Sequence, residues 1–173
     1  MRHALVTLSL ASALLAACAS TPRAPSSEAT AQFERLKQLA GDWVAVNGTD
    51  MAAGGASVSY RVSGGGSTVI ETLFPGTPSE MVSVYHTADG QLVMTHYCAV
   101  GNQPFMVARP QSQPDRLAFE CVGGKNVDFS HGLYMQRAEF EFVDAARVNA
   151  TWSAVKDGKP DHSARFEFVR SWQ

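Results

Sequence analysis

The chain is poor in charge and gathers none of it into clusters. Charged residues are 17% of its 173 positions, and Lys+Arg 14 against Asp+Glu 16 leaves a formal net charge of -2. Without a run of Lys or Arg there is nothing to neutralise a series of phosphates, which argues against nucleic acid as a partner. Cysteine is scarce as well, with 3 in the chain and none in Cys-x-x-Cys spacing. No Gly-x-Ser-x-Gly elbow and no phosphate loop is present, and Gly64-Gly65-Gly66 lies between two strand signals and reads as a turn. These absences leave no catalytic residue set, no metal motif and no cofactor motif. After residue 17 no apolar run approaches the ~20 residues that a membrane-spanning helix needs.

What the chain does have is the balance of a globular domain, with 45% hydrophobic residues. Its length fits one domain with a real core.

Residues 1–17 are built like an export signal. Arg2 and His3 supply a short positive start, and Ala4 to Ala17 form an apolar stretch broken only by Thr7, Ser9 and Ser12. The stretch ends in Leu15-Ala16-Ala17-Cys18, which resembles the bacterial lipobox. That resemblance implies a lipoprotein: diacylglyceryl transfer to the Cys18 thiol, cleavage before Cys18, and acylation of the new amine. Two or more acyl chains anchor stably where one is marginal. Ala19 follows where an Asp would retain a lipoprotein in the inner membrane, so the resemblance points to the outer membrane, facing the periplasm. Ser, Thr, Pro and Ala dominate 19–31, and the expected organisation is a signal at 1–17, a lipidated flexible tether at 18–31 and a domain at 32–173.

The domain opens with apolar residues at 33, 36 and 39–40, the spacing of a short helix that Gly41 ends. Strand signals follow at 43–46, 57–63, 67–74, 80–86, 92–98, 105–109, 116–122, 132–143, 147–155 and 163–170. Turn signals separate them, among them Pro75-Gly76, Asp89-Gly90 and Asp157-Gly158. The pattern predicts an all-β antiparallel meander closed into a barrel, or a sandwich, behind a short N-terminal helix.

In the last three strands alternation is clean: Ala138, Phe140 and Phe142 oppose Arg137, Glu139 and Glu141, and Val148, Ala150, Trp152 and Ala154 oppose Asn149, Thr151 and Ser153. In the middle strands polar residues fall among apolar ones. Val69, Glu71 and Leu73 share one face, and Met94, His96 and Cys98 share another. Polar side chains aimed into a cavity would write this text, and so would strands half exposed on both faces.

Leu39-Ala40-Gly41-Asp42-Trp43, where helix gives way to first strand, resembles the Gly-x-Trp entry of the lipocalins and the wider calycin superfamily. The resemblance implies that Trp43 packs at the closed barrel end against an Arg from the last strand. Arg165 and Arg170 are available, and Arg170, which shares a face with Phe166 and Phe168, is the better candidate. The block from Gly66 to Pro104 also resembles an uncharacterised family of small bacterial lipocalin-like proteins, over about residues 36–172; it implies the fold and no activity.

The candidate cavity residues are Arg61, Glu71, His86, His96, Tyr97 and Cys98. His96 and Cys98, joined by His86 or His131, would make a haem or metal site, and Glu71, Glu80 and His96 an acid/base group, with Arg61 equally available as a structural counter-ion. Each set has a plain structural reading beside it. Cys98 and Cys121 are expected as two buried thiols, because the strand at 105–109 separates theirs; a bridge stays open if that segment loops out. The expected role is to hold a small, mostly apolar ligand, with a cavity of several hundred Å³. An envelope interaction or assembly factor with a packed interior, and a haem protein, metal protein or enzyme using His96, are the alternatives.

Overall fold

The computed structural model describes residues 23–48, 55–110 and 113–171. The expected signal at 1–17 and Cys18 lie outside the described residues.

One helix, α1 (Ser27–Lys37), precedes ten strands. These are β1 (Gly41–Gly48), β2 (Ser57–Ser63), β3 (Thr68–Leu73), β4 (Met81–Ala88), β5 (Gln91–Tyr97), β6 (Gln103–Arg109), β7 (Arg116–Lys125), β8 (Leu133–Asp144), β9 (Arg147–Lys156) and β10 (Lys159–Arg170). Each strand pairs antiparallel with its neighbour in sequence, and β1 pairs with β10, so the sheet closes into a lipocalin-like barrel without an edge.

The helix begins earlier than its periodicity indicates, at Ser27 inside the expected tether. Ser26 caps it: its Oγ accepts from Ala29 N at 3.0 Å, satisfying one of the first-turn donors. Ser26 N also donates to Gly90 O at 3.1 Å, so the end of the tether is fastened to the β4–β5 turn. Ala29, Phe33 and Leu36 form the buried stripe of α1, which packs against β2, β4 and β5. Burying Phe33 and Leu36 stabilises the domain by about 1.5–3 kcal/mol each.

Alternation decides which side chains enter the barrel. Val58 and Tyr60, Val69 and Leu73, Tyr85, Met94, Met106, Leu117 and Phe119, Phe140, Trp152, and Phe166 and Phe168 fill the interior. The rings interlock: Tyr85 meets Phe119 at 5.5 Å between centroids, and Phe140 stands edge-on to Phe119 at 6.3 Å and to Trp152 at 6.4 Å. The tight turns follow their residues. Asp89-Gly90 and Asp157-Gly158 both have positive φ at both positions, the conformation that a two-residue hairpin requires.

The end of the barrel beside α1 is closed by Trp43 and Arg170, which are cross-strand partners on β1 and β10. The Arg170 guanidinium lies 4.3 Å above the Trp43 ring. Its Nη1 donates to Ala40 O and its Nη2 to Gln38 O, both at 2.8 Å, which satisfies carbonyls left over at the end of α1. The Trp43 indole donates to Leu39 O at 2.7 Å. Gly41, which opens β1 and does not end the helix, has φ 126, and a Cβ there would sit 2.9 Å from Arg170 Nη1. The chain needs glycine there for its backbone angle and for the close approach of the arginine.

The outer wall has two halves. On β6–β10 it carries ion pairs: Arg109 with Glu120, Arg137 with Glu120 and Glu139 at 3.1 and 3.0 Å, and Arg116 with Glu141 at 2.9 Å. On β3–β5 the outward residues are Ile70, Val82, Val84, Val93, Thr95 and Tyr97, with Thr72 and His86 among them.

Candidate functional site

The barrel end away from α1 is a mouth formed by the β3–β4, β5–β6, β7–β8 and β9–β10 connections. Just inside it lies a cavity of about 80 Å³. Leu73 and Met81 line it from β3 and β4, Phe74 from the connection between them, Met135 from β8, and Ala164 and Phe166 from β10. Three side chains with nitrogen complete it: His96, Trp152 and His162. Larger hollows lie outside the barrel, such as the groove of about 340 Å³ between Gln32, Arg35 and Phe142, and they are open to water.

Behind the cavity runs a polar row that the strand register dictates. Tyr60 pairs with Glu71, Glu71 with Ser83, and Ser83 with His96, so four neighbouring strands each place one polar side chain at the same height. All four point inward and are buried. Glu71 Oε1 accepts from the Tyr60 hydroxyl and Oε2 from the Tyr85 hydroxyl, both at 2.7 Å. Ser83 Oγ lies 3.0 Å from His96 Nδ1. The imidazole also lines the cavity, while its Nε2 is buried and has no hydrogen-bond partner among the described residues. The His96 ring lies against Trp152 at 4.7 Å between centroids, and Trp152 Nε1 has no partner either.

Burial controls the protonation of this row. It raises the Glu71 pKa, while hydrogen bonds from Tyr60, Tyr85 and Ser83 pull the other way without cancelling it. Tyr60 and Tyr85 are raised well above their ordinary value, by burial first and by the nearby Glu71 charge second. Burial lowers His96 to about 4, so its ring is neutral at physiological pH. Burial also raises both thiols, Cys98 and Cys121, and both are free.

Of the residues singled out from the sequence, Glu71 and His96 stand in the interior, joined through Ser83. Cys98 lies part-buried at the rim, its Sγ 3.9 Å from Met81 Sδ. Arg61, His86 and Tyr97 do not face the cavity. Arg61 is exposed on the outer wall, with Nη1 3.3 Å from Ser63 Oγ. His86 alternates with the buried Tyr85, and Tyr97 with the buried His96, so the pleat turns both outward. His131 is exposed in the β7–β8 loop, and no group of three or more His, Cys, Asp or Glu could hold a metal among the described residues. Glu80 is exposed and accepts from Gly76 N at 2.7 Å, so the acid/base trio is not assembled. The cavity is also smaller than the several hundred Å³ expected, because the aromatic side chains of β7–β10 fill most of the barrel.

No family model matches the chain, and no curated protein matches it. The site is therefore read from its own chemistry.

Tyr60, Ser83, Tyr85, Trp152 and His162 are site residues that the sequence reading left aside. For the first three the signal was available in principle: they are the inward neighbours of Glu71 and His96 once hairpin register is assigned. Asn102 at the β5–β6 turn does turn work, donating to Leu133 O at 2.7 Å and so tying the mouth to β8.

Proposed function

We propose that this chain is a lipid-anchored envelope protein whose barrel binds a small, mostly apolar ligand at its mouth. The observation that carries the reading is the mouth cavity itself. It is apolar, walled by Leu73, Phe74, Met81, Ala164 and Phe166, with His96, Trp152 and His162 as the polar members of its lining. Such sites are the usual form of small-molecule recognition: apolar walls with a few placed polar groups.

The anchor rests on the lipobox-like Leu15-Ala16-Ala17-Cys18. Among the described residues no helix is long and apolar enough to cross a membrane. The charged outer wall of β6–β10 would be costly against lipid and sits in water. With acyl chains on Cys18 and Ala19 behind it, the domain would stand at the periplasmic face of the outer membrane.

Native mass spectrometry of the chain extracted from the membranes of its own host tests both parts. An N-terminal peptide beginning at acylated Cys18 is expected, with an extra mass on the intact protein that leaves on denaturation. An unmodified N-terminus would sink the anchor. A bare mass that survives incubation with host lipid extract would sink the binder.

The outer wall supports a second reading, an interaction factor. Tyr97 is 50% exposed and Val122 54%, and an open cleft of about 640 Å³ lies beside Tyr97, Phe105 and Gly124. A photo-crosslinker at position 97 in living cells would find one partner reproducibly if that face is an interface, and none if it is not.

A further inference from the structure

We propose that the outer wall of β3–β5 rests on the membrane to which the chain is tethered, with its apolar side chains in the headgroup layer and Arg61 and Lys125 against lipid phosphates. The inference rests on the reading of Cys18 as a lipid anchor, and adds which face of the barrel that anchor brings to the bilayer.

The first observation is the composition of the wall. The pleat turns Ile70, Val82, Val84, Val93, Thr95 and Tyr97 outward, and no Asp, Glu, Lys or Arg stands among them. Phe105 on β6, the cross-strand partner of Thr95, extends it. Val93 is buried, the other aliphatic residues are half-buried, and Tyr97 is 50% exposed. An antiparallel sheet that faces water puts polar residues on its wet side, as β8 and β9 do with Glu139, Glu141, Asn149 and Thr151. Three adjacent strands depart from that pattern here, and a contiguous apolar surface marks a contact.

The second observation is the charge at its edges. Arg61 is exposed on β2 as the partner of Ile70. Lys125 is exposed at the end of β7 and lines the open cleft beside Tyr97 and Phe105. The carboxylate bordering the wall on β7, Glu120, is ion-paired with Arg109 and Arg137. Glu80 and Asp89 lie beyond the wall, at the two ends of β4. Apolar residues flanked by cations suit an anionic headgroup layer, because Lys and Arg lay their stems along apolar surface and raise their heads to the phosphates.

The third observation is where the tether leaves the barrel. Ser26 N donates to Gly90 O at 3.1 Å, and a Cβ at Gly90 would sit 3.2 Å from the Arg23 side chain. The chain therefore departs at the β4–β5 turn, the foot of the wall. Cys18 stands five residues before Arg23, a stretch that spans at most ~17–18 Å. The wall itself runs ~20 Å along β5, from Gln91 to Tyr97. An acylated Cys18 thus holds the bilayer within one wall length of this turn, at an effective concentration that makes a weak contact sufficient. The surfaces beside the wall are charged: α1 carries Glu28 and Glu34, and β6–β10 carry the ion pairs. With the wall down, the mouth at the Tyr97 end opens at the level of the headgroups.

The test uses the lipidated chain from its own host, placed in vesicles of phosphatidylethanolamine with phosphatidylglycerol, and in vesicles of phosphatidylcholine alone. A solvatochromic amino acid replaces Tyr97, Val84 or, on the opposite half, Thr151, and each variant is checked for folding by its thermal transition. Lipid carrying a spin label high on its acyl chain should quench the probe at 97 and 84 and spare it at 151. Lys125→Gln should lower the ratio of docked to free chain ~5-fold in the anionic vesicles and leave it unchanged in phosphatidylcholine. An unchanged ratio in both would overturn the phosphate contact. Equal quenching at 97 and 151, or none at 97, in a chain whose N-terminal mass shows acyl groups would overturn the docking and leave the anchor standing. An unacylated N-terminus would overturn both.

Discussion

Lowering the pH should destabilise this protein through one residue. In the unfolded chain His96 titrates with its ordinary pKa of 6.5, whereas in the fold burial lowers it to about 4. Between those values the unfolded state takes up a proton that the folded state refuses. A base whose folded pKa is depressed therefore loses stability as pH falls through that window, and the loss levels off below the folded value. Each pKa unit is worth 1.36 kcal/mol, so His96 should remove ~2 kcal/mol between pH 7 and 5 and ~3 kcal/mol by pH 4. For a single domain holding roughly 5–15 kcal/mol that is a large share. Guanidinium denaturation at pH 7.5, 6, 5 and 4 measures it, with His96→Gln as comparison. Glutamine fills similar space and does not titrate. Glu71, whose raised pKa favours the fold at low pH and disfavours it as pH rises, is present in both proteins and cancels in the difference. The gap between the two stability curves should thus change by ~3 kcal/mol from pH 7.5 to 4. Parallel curves would refute the argument, because they would mean His96 keeps its proton in the fold and meets water or a counter-charge.

Tyr60→Phe removes one of the two tyrosine donors to the buried Glu71 carboxylate and should cost about 2 kcal/mol at pH 8 in the same denaturation assay. Because it raises the Glu71 pKa further, the cost should shrink at pH 5, and an equal loss at both pH values would show that the carboxyl is already neutral. Arg170→Lys keeps the charge but loses the flat stack on Trp43 and the two-pronged grip on Gln38 and Ala40 carbonyls; a loss of about 1–2 kcal/mol is expected from the urea midpoint. Gly41→Ala should also destabilise by about 1–3 kcal/mol, through its positive φ and the contact with Arg170. Both thiols should react at least ~10-fold more slowly with iodoacetamide at pH 7.5 than a free cysteine, and at the ordinary rate in urea, since burial keeps them protonated.

The strands were legible because their physics is local. Where Phe140 and Trp152 alternate with Glu139 and Thr151, the text states which side is wet, and the elements found there match the barrel within a few residues. The Gly41-Asp42-Trp43 entry and its pairing with Arg170 were legible for a different reason, a short motif at a fixed place in the topology. The start of α1 was not, because residues 27–32 show one buried side chain, Ala29, and a lone apolar residue has no period. The faces of β3–β5 were ambiguous because Ile70, Val84 and Val93 make the outer side as apolar as the inner one. That is why Arg61, His86 and Tyr97 stood beside Glu71 and His96 as equals. The hydrogen-bonded row was out of reach of pattern alone: Tyr60, Ser83 and Tyr85 become partners of Glu71 only through register across three hairpins. The free nitrogen of Trp152 was hidden more thoroughly, since in sequence a tryptophan on an apolar face is core.

The two asymmetries of the barrel belong together. Inside, the polar row spans β2–β5 and faces the rings of β7–β10. Outside, the inter-strand ion pairs sit on β6–β10, the wall over β3–β5 carries no acidic residue, Lys or Arg, and Arg61 stands beside it on β2. Ile70 and Thr72 stand on the far side of the strand that carries Glu71, and Val84 on the far side of the strand that carries Ser83. The carboxylate therefore has apolar groups both across the barrel and behind its own sheet, with water distant in either direction. Burial is the first cause of the shift at Glu71, Tyr60, Tyr85 and His96 alike. The ion pairs of Arg109, Arg116 and Arg137 lie on the opposite half, which leaves burial as the dominant influence on the row.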